Sequence, residues 1–559
     1  MPSASQLPLL SQILDGKSAQ PSLIEQLLDE QQSLPAVQRF AAWHDEHEQG
    51  CAVLPPVSYR SLIPLTAPQV GEQYAFEVDL DACSGCKACV TACHSLNGLD
   101  EHETWRDVGL LISSDDRPAL QYITSACHHC VEPACLAGCP VKAYDKDPHT
   151  GIVRHLDDQC IGCQYCVLMC PYDVPKYSPS KGIVRKCDMC RQRLAADEAP
   201  ACVGACPNQA IRITTVKKVD MLAAAASGDF LASAPDPRQT IPTTRYISKN
   251  FSTVAQQNWQ AADAAFVKPA HAHWPLVVML VLTQSSVGVL LAERLLTWFG
   301  SDHNTLPLLI ASLILGAAGG QTAALHLGRP FGAWRAWLGL RTSWLSREIV
   351  VFGAYTGVLG TAVGLMVAMR FGLLPRHSLI VIAAQLMTTI AMICGLLGVL
   401  SSAMIYAATQ RPSWNLLRSG GKFFLTTLLF ASIAAASVHG QLWFVAITIA
   451  GSKLIYEAIC NWHSIDKYGR VSDFYSALGQ AARLVRGPLE RMQSVRTLLG
   501  CASIVAMFFA TAISMTGAHN SSMVAAAIVT VFVLAGELLE RTLFFTAMVA
   551  PKMPGGIST

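Results

Sequence analysis

The chain has 559 residues; 52% are hydrophobic, only 14% are charged, and the formal net charge is +2. Soluble proteins carry about 25% charged residues, so this composition excludes a single soluble domain and a disordered chain. A net charge so close to zero also excludes the basic surface that a nucleic-acid partner requires.

Residues 1–75 form an N-terminal extension. SLIEQLLDEQQ and PAVQRFAAWHDEHEQ have helical periodicity, and Pro55, Pro56, Pro64 and Pro68 mark an extended stretch after them. No chemistry is legible there, and Cys51 reads as a packed thiol. The first 30 residues show no basic n-region, long apolar run or twin arginine. No signal peptide is read, so the N-terminal half is expected in the cytoplasm, where dense cysteines are metal ligands rather than disulfides.

Residues 76–216 hold sixteen of the 20 cysteines in four groups. The first is Cys83, Cys86, Cys89 and Cys93. The second is Cys127, Cys130, Cys135 and Cys139. The third is Cys160, Cys163, Cys166 and Cys170, and the fourth Cys187, Cys190, Cys202 and Cys206. The first and third have the C-x2-C-x2-C-x3-C spacing of bacterial ferredoxins, and proline follows the last cysteine of the second, third and fourth groups. Three close thiolates can cap three irons of a cubane while the fourth points to a neighbouring cluster. Four [4Fe–4S] clusters are therefore expected. Structural zinc would need C-x2-C pairs instead. Strand-like YAFEVDL, GIVRHL and AIRITTV flank the groups and give an α+β, ferredoxin-like domain. Residues 217–273 read as a linker, first small and flexible, then extended.

From Trp274 the chain reads as an all-α membrane bundle, 274–559. Eight apolar runs approach or exceed the roughly 20 residues of a span: 274–298, 306–328, 346–370, 378–408, 421–439, 441–460, 495–515 and 522–548. Arg335 and Arg341, Arg411 and Arg418, and Lys467, Arg470, Arg483, Arg486 and Arg491 crowd alternate connections, whereas the others carry only Arg370 and Arg376. By the positive-inside rule both termini and the cluster domain face the cytoplasm of a bacterial inner membrane.

Four clusters fused to a bundle imply electron exchange with a lipid-soluble carrier, most simply a quinone. His326 and Glu348, on opposite sides of HLGRPFGAWRAWLGLRTSWLSRE, are candidates to accept quinol protons. Arg329 and Arg347, beside them, are candidate quinone-binding residues. The competing reading is an interfacial polar cluster with Trp334, Trp337 and Trp344 as an aromatic belt. Lys453 with Glu457 and Glu537 with Arg541 read as structural pairs within helices, and Glu293 and Arg294 as snorkelling residues. His303, His377, His439, His463 and His519 lie at loops or span ends, with only His326 inside a span, so haem b is not expected.

The segments CSGCKACVTACHSLNG, CHHCVEPACLAGCP, CIGCQYCVLMCPYDVPKY and KCDMC resemble the iron–sulfur subunit of the dimethyl sulfoxide reductase family. HLGRPFGAWRAW and SWLSREI resemble that family's eight-helix membrane anchor. The resemblance covers about 85% of the chain and implies two usually separate subunits fused in one. It implies four ligand sets: Cys83, Cys86, Cys89 with Cys206; Cys187, Cys190, Cys202 with Cys93; Cys127, Cys130, Cys135 with Cys170; and Cys160, Cys163, Cys166 with Cys139. It also implies that His326 and Glu348 form a quinone site for menaquinone or ubiquinone, and that a separate molybdopterin subunit docks on the cluster domain. The N-terminal extension departs from the family. The cytoplasmic orientation argues against dimethyl sulfoxide as substrate and leaves sulfite oxidation or nitrate reduction as partner reactions. The chain alone carries only the quinone half-reaction. The alternative is an iron–sulfur-driven ion or proton translocator, with Glu537 and Lys453 on its path.

Overall fold

The computed structural model describes residues 60–113, 119–249, 259–301, 303–375, 377–468, 476–516 and 519–555. The helices expected before residue 60, Cys51, Arg376 and Arg470 lie outside the described residues, as do the side chains of His463, Lys467 and His519.

The cluster domain is built from short strands: β1 (Glu72–Asp79), β2 (Asp107–Ser113), β3 (Ala119–Ser125), β4 (Tyr144–Lys146), β5 (Val153–His155), β6 (Lys176–Ser178), β7 (Ile183–Arg185), β8 (Ile211–Lys217), β9 (Arg245–Ile247) and β10 (Trp259–Ala261). They make two three-stranded sheets, β8-β1-β9 and β10-β2-β3, and the hairpins β4-β5 and β6-β7. Between strands each cysteine loop leads into a short helix: α1 (Ala88–Asn97), α2 (Ala134–Gly138), α3 (Tyr165–Met169), and then α4 (Arg191–Ala195) with α5 (Ala201–Gly204). The prolines after Cys139 and Cys170 have a local effect. A residue before proline is pushed to extended backbone, and both cysteines are extended and close their helices.

The stretch read as a linker is instead woven into this domain. Its alanine-rich start has high helix propensity and forms α6 (Lys218–Ser227), closed by left-handed Gly228. Further on, β9 runs parallel to β1 and β10 antiparallel to β2.

The bundle follows as α7 (Trp274–Trp298), α8 (Thr305–Ala324), α9 (Trp344–Arg370), α10 (Ser378–Ala407), α11 (Leu416–Val438), α12 (Trp443–Tyr468), α13 (Ala477–Arg486), α14 (Glu490–Met515) and α15 (His519–Thr546). All except the short α13 contain a stretch long and apolar enough to cross a membrane. The first span, α7, is the central one and packs on α8, α10, α11 and α15. Lipid gives helices no hydrophobic reason to associate, so close packing must do it. A Cβ on Gly288 of α7 would collide with the Thr427 carbonyl of α11.

The cluster domain is set into the bundle. Tyr165 and Met169 of α3 are buried in the bundle core, and the Tyr165 hydroxyl donates to the Ile405 carbonyl at 3.0 Å. Ser343 Oγ donates to the Gly138 carbonyl at 2.7 Å, and a guanidinium nitrogen of Arg411 to that of Leu168 at 2.9 Å. Gly162 and Gly182, both at positive φ, nest against Gly328 so closely that a Cβ on any of the three would collide. After α15 the chain returns to the cluster domain. Lys552 pairs with Asp263, the Leu110 amide donates to the Gly555 carbonyl at 3.2 Å, and Gly109 leaves room for the Pro554 carbonyl.

Candidate functional site

Folding regroups the cysteines across their sequence groups. Cys83, Cys86, Cys89 and Cys206 line one cavity, and Cys127, Cys130, Cys135 and Cys170 another. Cys93 lies within electrostatic reach of Cys190 and Cys202. Cys139 lies within reach of Cys160, and Cys163 and Cys166 within reach of both. Each of these groupings falls within one of the sets that the resemblance implies. The sets are also ordered. Cys89 lies within electrostatic reach of Cys202, and Cys187 within reach of Cys127. Helix α2, with Cys135 inside and Cys139 at its end, joins the last two sets, as does α3 with Cys166 and Cys170.

The donor sets fit iron–sulfur clusters. Among the described residues, no three His, Cys, Asp or Glu side chains are close enough to hold a single ion. In two of the sets four cysteines instead ring one shared cavity. Burial pushes the thiols of Cys135, Cys166 and Cys187 well up, so they become charged only when a metal displaces the proton. Two buried cations face these thiols. Arg106 acts on Cys202, Cys89, Cys187 and Cys93, and its Nε and one Nη have no hydrogen-bond partner within the described protein. Lys186 acts on Cys127, Cys135 and Cys187 and lines the second cavity. Buried cations call for anionic partners, which thiolate-bound clusters would supply. Amide donors to Cys139 at 3.1 Å and Cys206 at 3.3 Å add hydrogen bonds of the kind that set cluster potentials. The sequence reading singles out neither Arg106 nor Lys186, although Lys186 opens the KCDMC segment.

The set with Cys139, Cys160, Cys163 and Cys166 is the one nearest the bundle. Cys163 packs against the bundle core, and the Arg329 amide donates to the Ile161 carbonyl at 3.0 Å. At the other end of the row Cys86 is exposed.

Glu348, on the first turns of α9, is buried and accepts a hydrogen bond from Ser402 Oγ of α10. Tyr165 and Tyr406 both lie within its electrostatic reach. Tyr165 stands between Cys163 and Cys166 in sequence, so the same short helix carries ligand candidates and the neighbour of the buried carboxylate. His326 is not inside a span as expected. Helix α8 stops at Ala324, ahead of Gly328 and Pro330, and leaves His326 on the following turn. Its ring is edge-on to His273 at 5.2 Å, and His273 edge-on to His271 at 5.1 Å. His326 and Glu348 make no direct contact among the described residues. Between them stand His273, Phe545 and Tyr406, with ring separations of 5.9 Å and 5.6 Å. The sequence reading missed His271 and His273; the H-x-H immediately before the first span was the available signal.

The arginines are engaged with backbone. Arg329 donates to the Asp157 carbonyl at 2.9 Å and so braces the cluster domain. Arg347 donates to the carbonyls of Leu340 and Arg341 and lies 4.2 Å over the Trp344 ring. Trp334 and Trp337 are exposed, as an aromatic belt requires.

The remaining membrane charges depart from the expected pairs. Glu293 and Arg294 do not snorkel; both are buried and bound to each other at 2.5 and 2.6 Å. Lys453 does meet Glu457 at 3.1 Å, but Glu537 does not pair with Arg541. Glu537 instead binds Lys453 at 2.7 Å and Arg496 at 3.2 Å, while Arg541 pairs with Glu540, which also holds Lys422 at 2.8 Å. Lys453 and Arg496, on other helices, capture Glu537 in place of the expected neighbour four residues on.

The chain's comparison with known proteins agrees with this geometry. Residues 118–216 match the family model of a 4Fe-4S dicluster domain, and residues 268–547, half the chain, match that of the DMSO reductase anchor subunit (DmsC). The B subunit of the anaerobic dimethyl sulfoxide reductase of Escherichia coli K12 is 34% identical over 175 residues, 30% of this chain and 83% of the relative. The hydrogenase-2 operon protein HybA of Escherichia coli O157:H7 is 33% identical over 218 residues, 34% of this chain and 65% of the relative. The formate dehydrogenase-O iron-sulfur subunit of Escherichia coli K12 is 32% identical over 170 residues, 27% of this chain and 56% of the relative.

Proposed function

The chain belongs to the dimethyl sulfoxide reductase family, as an iron–sulfur electron-transfer subunit fused to its multi-pass membrane anchor, and from that premise we propose that it links a membrane quinone to a cytoplasmic molybdopterin subunit. The sixteen cysteines would hold four [4Fe–4S] clusters in the sets given above, and these would supply one-electron carriage. The catalytic partner docks at the end of the row marked by exposed Cys86. Its reaction is sulfite oxidation or nitrate reduction. The chain lies in a bacterial inner membrane with the cluster domain on the cytoplasmic side.

One observation carries the quinone reading: α3 is inserted into the bundle core, bringing Tyr165 between the nearest cysteine set and the buried Glu348. Glu348 has a hydroxyl partner and no cation among the described residues, so it is free to take a proton. His326, on the turn beside the cluster domain, takes the other. Menaquinol and ubiquinol both fit this chemistry. With protons and electrons exchanged on one face, turnover is electroneutral.

In the purified complex under anaerobic conditions, a quinol analogue should reduce the clusters, followed by their electron paramagnetic resonance signals. His326→Ala and Glu348→Gln should each abolish that reduction while dithionite still reduces the clusters fully. Quinol reduction at the normal rate in both variants would reject the site.

The translocator reading draws on the buried charges around Glu537. Each carboxylate there has a cation within 3.2 Å, which supports a structural lock rather than a path. A membrane potential produced by the complex in liposomes would reverse that choice.

A further inference from the structure

We infer that His273, seated against His271, relays protons between His326 and water on the face that carries the cluster domain; this rests on the quinone-site reading above. The three rings stand in a row, edge to face, at 5.2 and 5.1 Å. Exposure rises along it: His326 and His273 are half-buried and His271 is exposed. The row therefore runs from the proposed site to solvent.

The backbone fixes the middle ring. His273 is held in left-handed conformation, φ 47°, as the residue before α7, with Pro275 next but one. Its amide donates to Nδ1 of His271 at 3.1 Å. A ring whose Nδ1 accepts carries its proton on Nε2 when neutral, so the amide selects the tautomer of the outer histidine. Burial first, then the neighbouring His326 and His271, holds His273 down at about 4; burial and His271 also lower His326. Both are neutral at neutral pH. A neutral imidazole has one donor and one acceptor nitrogen, the pair that a relay needs.

The step balances simply. Oxidation of one quinol breaks two O–H bonds and yields two protons and two electrons. The electrons leave one at a time to the iron–sulfur groups. A proton taken by His326 passes to the acceptor nitrogen of His273, whose other nitrogen releases its own to water; His271, with Nδ1 held by the amide and its proton on Nε2, marks the solvent end and takes no proton itself. Rotation of the rings resets the row, and quinone reduction runs the same transfers in reverse. Packing is the competing role, since His273 also lies edge-on to Phe545 at 5.9 Å. A packing role needs a ring and no nitrogens.

The test uses the intact complex in mild detergent, with His273→Phe, His273→Gln and His271→Gln measured beside Glu348→Gln. Readouts are quinol-driven turnover in H2O and D2O, rescue by added imidazole, and fluorescence titration with a hydroxyquinoline N-oxide quinol analogue. His273→Phe and His273→Gln should each lower turnover about tenfold or more, within the range of lost acid–base assistance. Affinity for the analogue should hold, the solvent isotope effect should rise, and imidazole should restore turnover. His271→Gln should act in the same direction but less. Normal turnover and isotope effect in His273→Phe overturn the relay. So does a loss of analogue binding that parallels turnover and resists imidazole, because that is packing. Normal turnover in Glu348→Gln rejects the quinone site itself, a separate outcome from failure of the histidine variants alone.

Discussion

Glu348 and Glu537 are both buried carboxylates on apolar helices, yet their surroundings differ in kind. Glu537 meets Lys453, Arg496 and the Thr426 hydroxyl, and Glu457 and Glu540 extend the same network through Arg496, Arg541 and Lys422. Glu348 has the Ser402 hydroxyl and two tyrosine neighbours. Moving a charge out of water costs several kcal/mol, and a cation in good geometry offsets it. A carboxylate surrounded only by hydroxyl groups leaves that cost standing and is most easily relieved by a proton. Within one bundle the difference separates a group that can exchange protons from one that ties helices together.

The sharpest way to break this comparison is to neutralise each carboxylate. Glu348→Gln should reduce quinol-driven cluster reduction about a hundredfold or more, with the complex still assembled, as expected for a lost acid–base group. Stopped-flow absorbance against blue native electrophoresis would separate the two effects. Glu537→Gln should do the reverse. It leaves Lys453 and Arg496 under-compensated, which in comparable buried pairs costs about 3–5 kcal/mol. Less complex should reach the membrane, while turnover per assembled complex stays normal. Replacing Lys453 as well, as Lys453→Met with Glu537→Leu, should recover part of the lost yield. If the double replacement is as damaging as the single, the network is more than charge compensation.

Smaller effects refine the picture. Ser402→Ala removes the hydrogen bond that Glu348 accepts, worth roughly 1.5–3 kcal/mol to a charged group. Turnover should fall less than in Glu348→Gln, with an altered pH profile. The smallest effect concerns His273, held near 4 against an ordinary 6.5. Between those values the unfolded segment binds the proton more readily than the folded one. Its stabilising contribution is therefore full above 6.5 and is lost as pH falls towards 4. Hydrogen exchange at the start of α7 should quicken over that window in the wild type and less so in His273→Phe.

Much of this is legible in the residues themselves. The cysteine spacings and apolar runs are local patterns, and they predict both halves and all eight spans. The cross-grouping of cysteines comes from resemblance, because a spacing states which thiolates are close in sequence and not which loops meet. What cannot be read depends on partners far along the chain. The three-residue strands β9 and β10 exist only because β1 and β2 offer edges. Lys453 and Glu537 are 84 residues apart and meet through the packing of their helices. His273 looks like a helix-end residue until its neighbour His326 is found beyond the end of α8.

The tail after α15 adds a matter of timing. The strand around Leu110 is synthesised early, whereas Gly555, whose carbonyl it holds, follows the eighth span. Protein synthesis runs in one direction, so this contact cannot close until the eighth span has been made. Until the final helix has entered the bilayer, the sheet β10-β2-β3 waits without the tail that packs on it, and the cysteine cavities belong to a domain still unfastened at one side. A chain interrupted anywhere in the bundle would carry a cluster domain without this fastening.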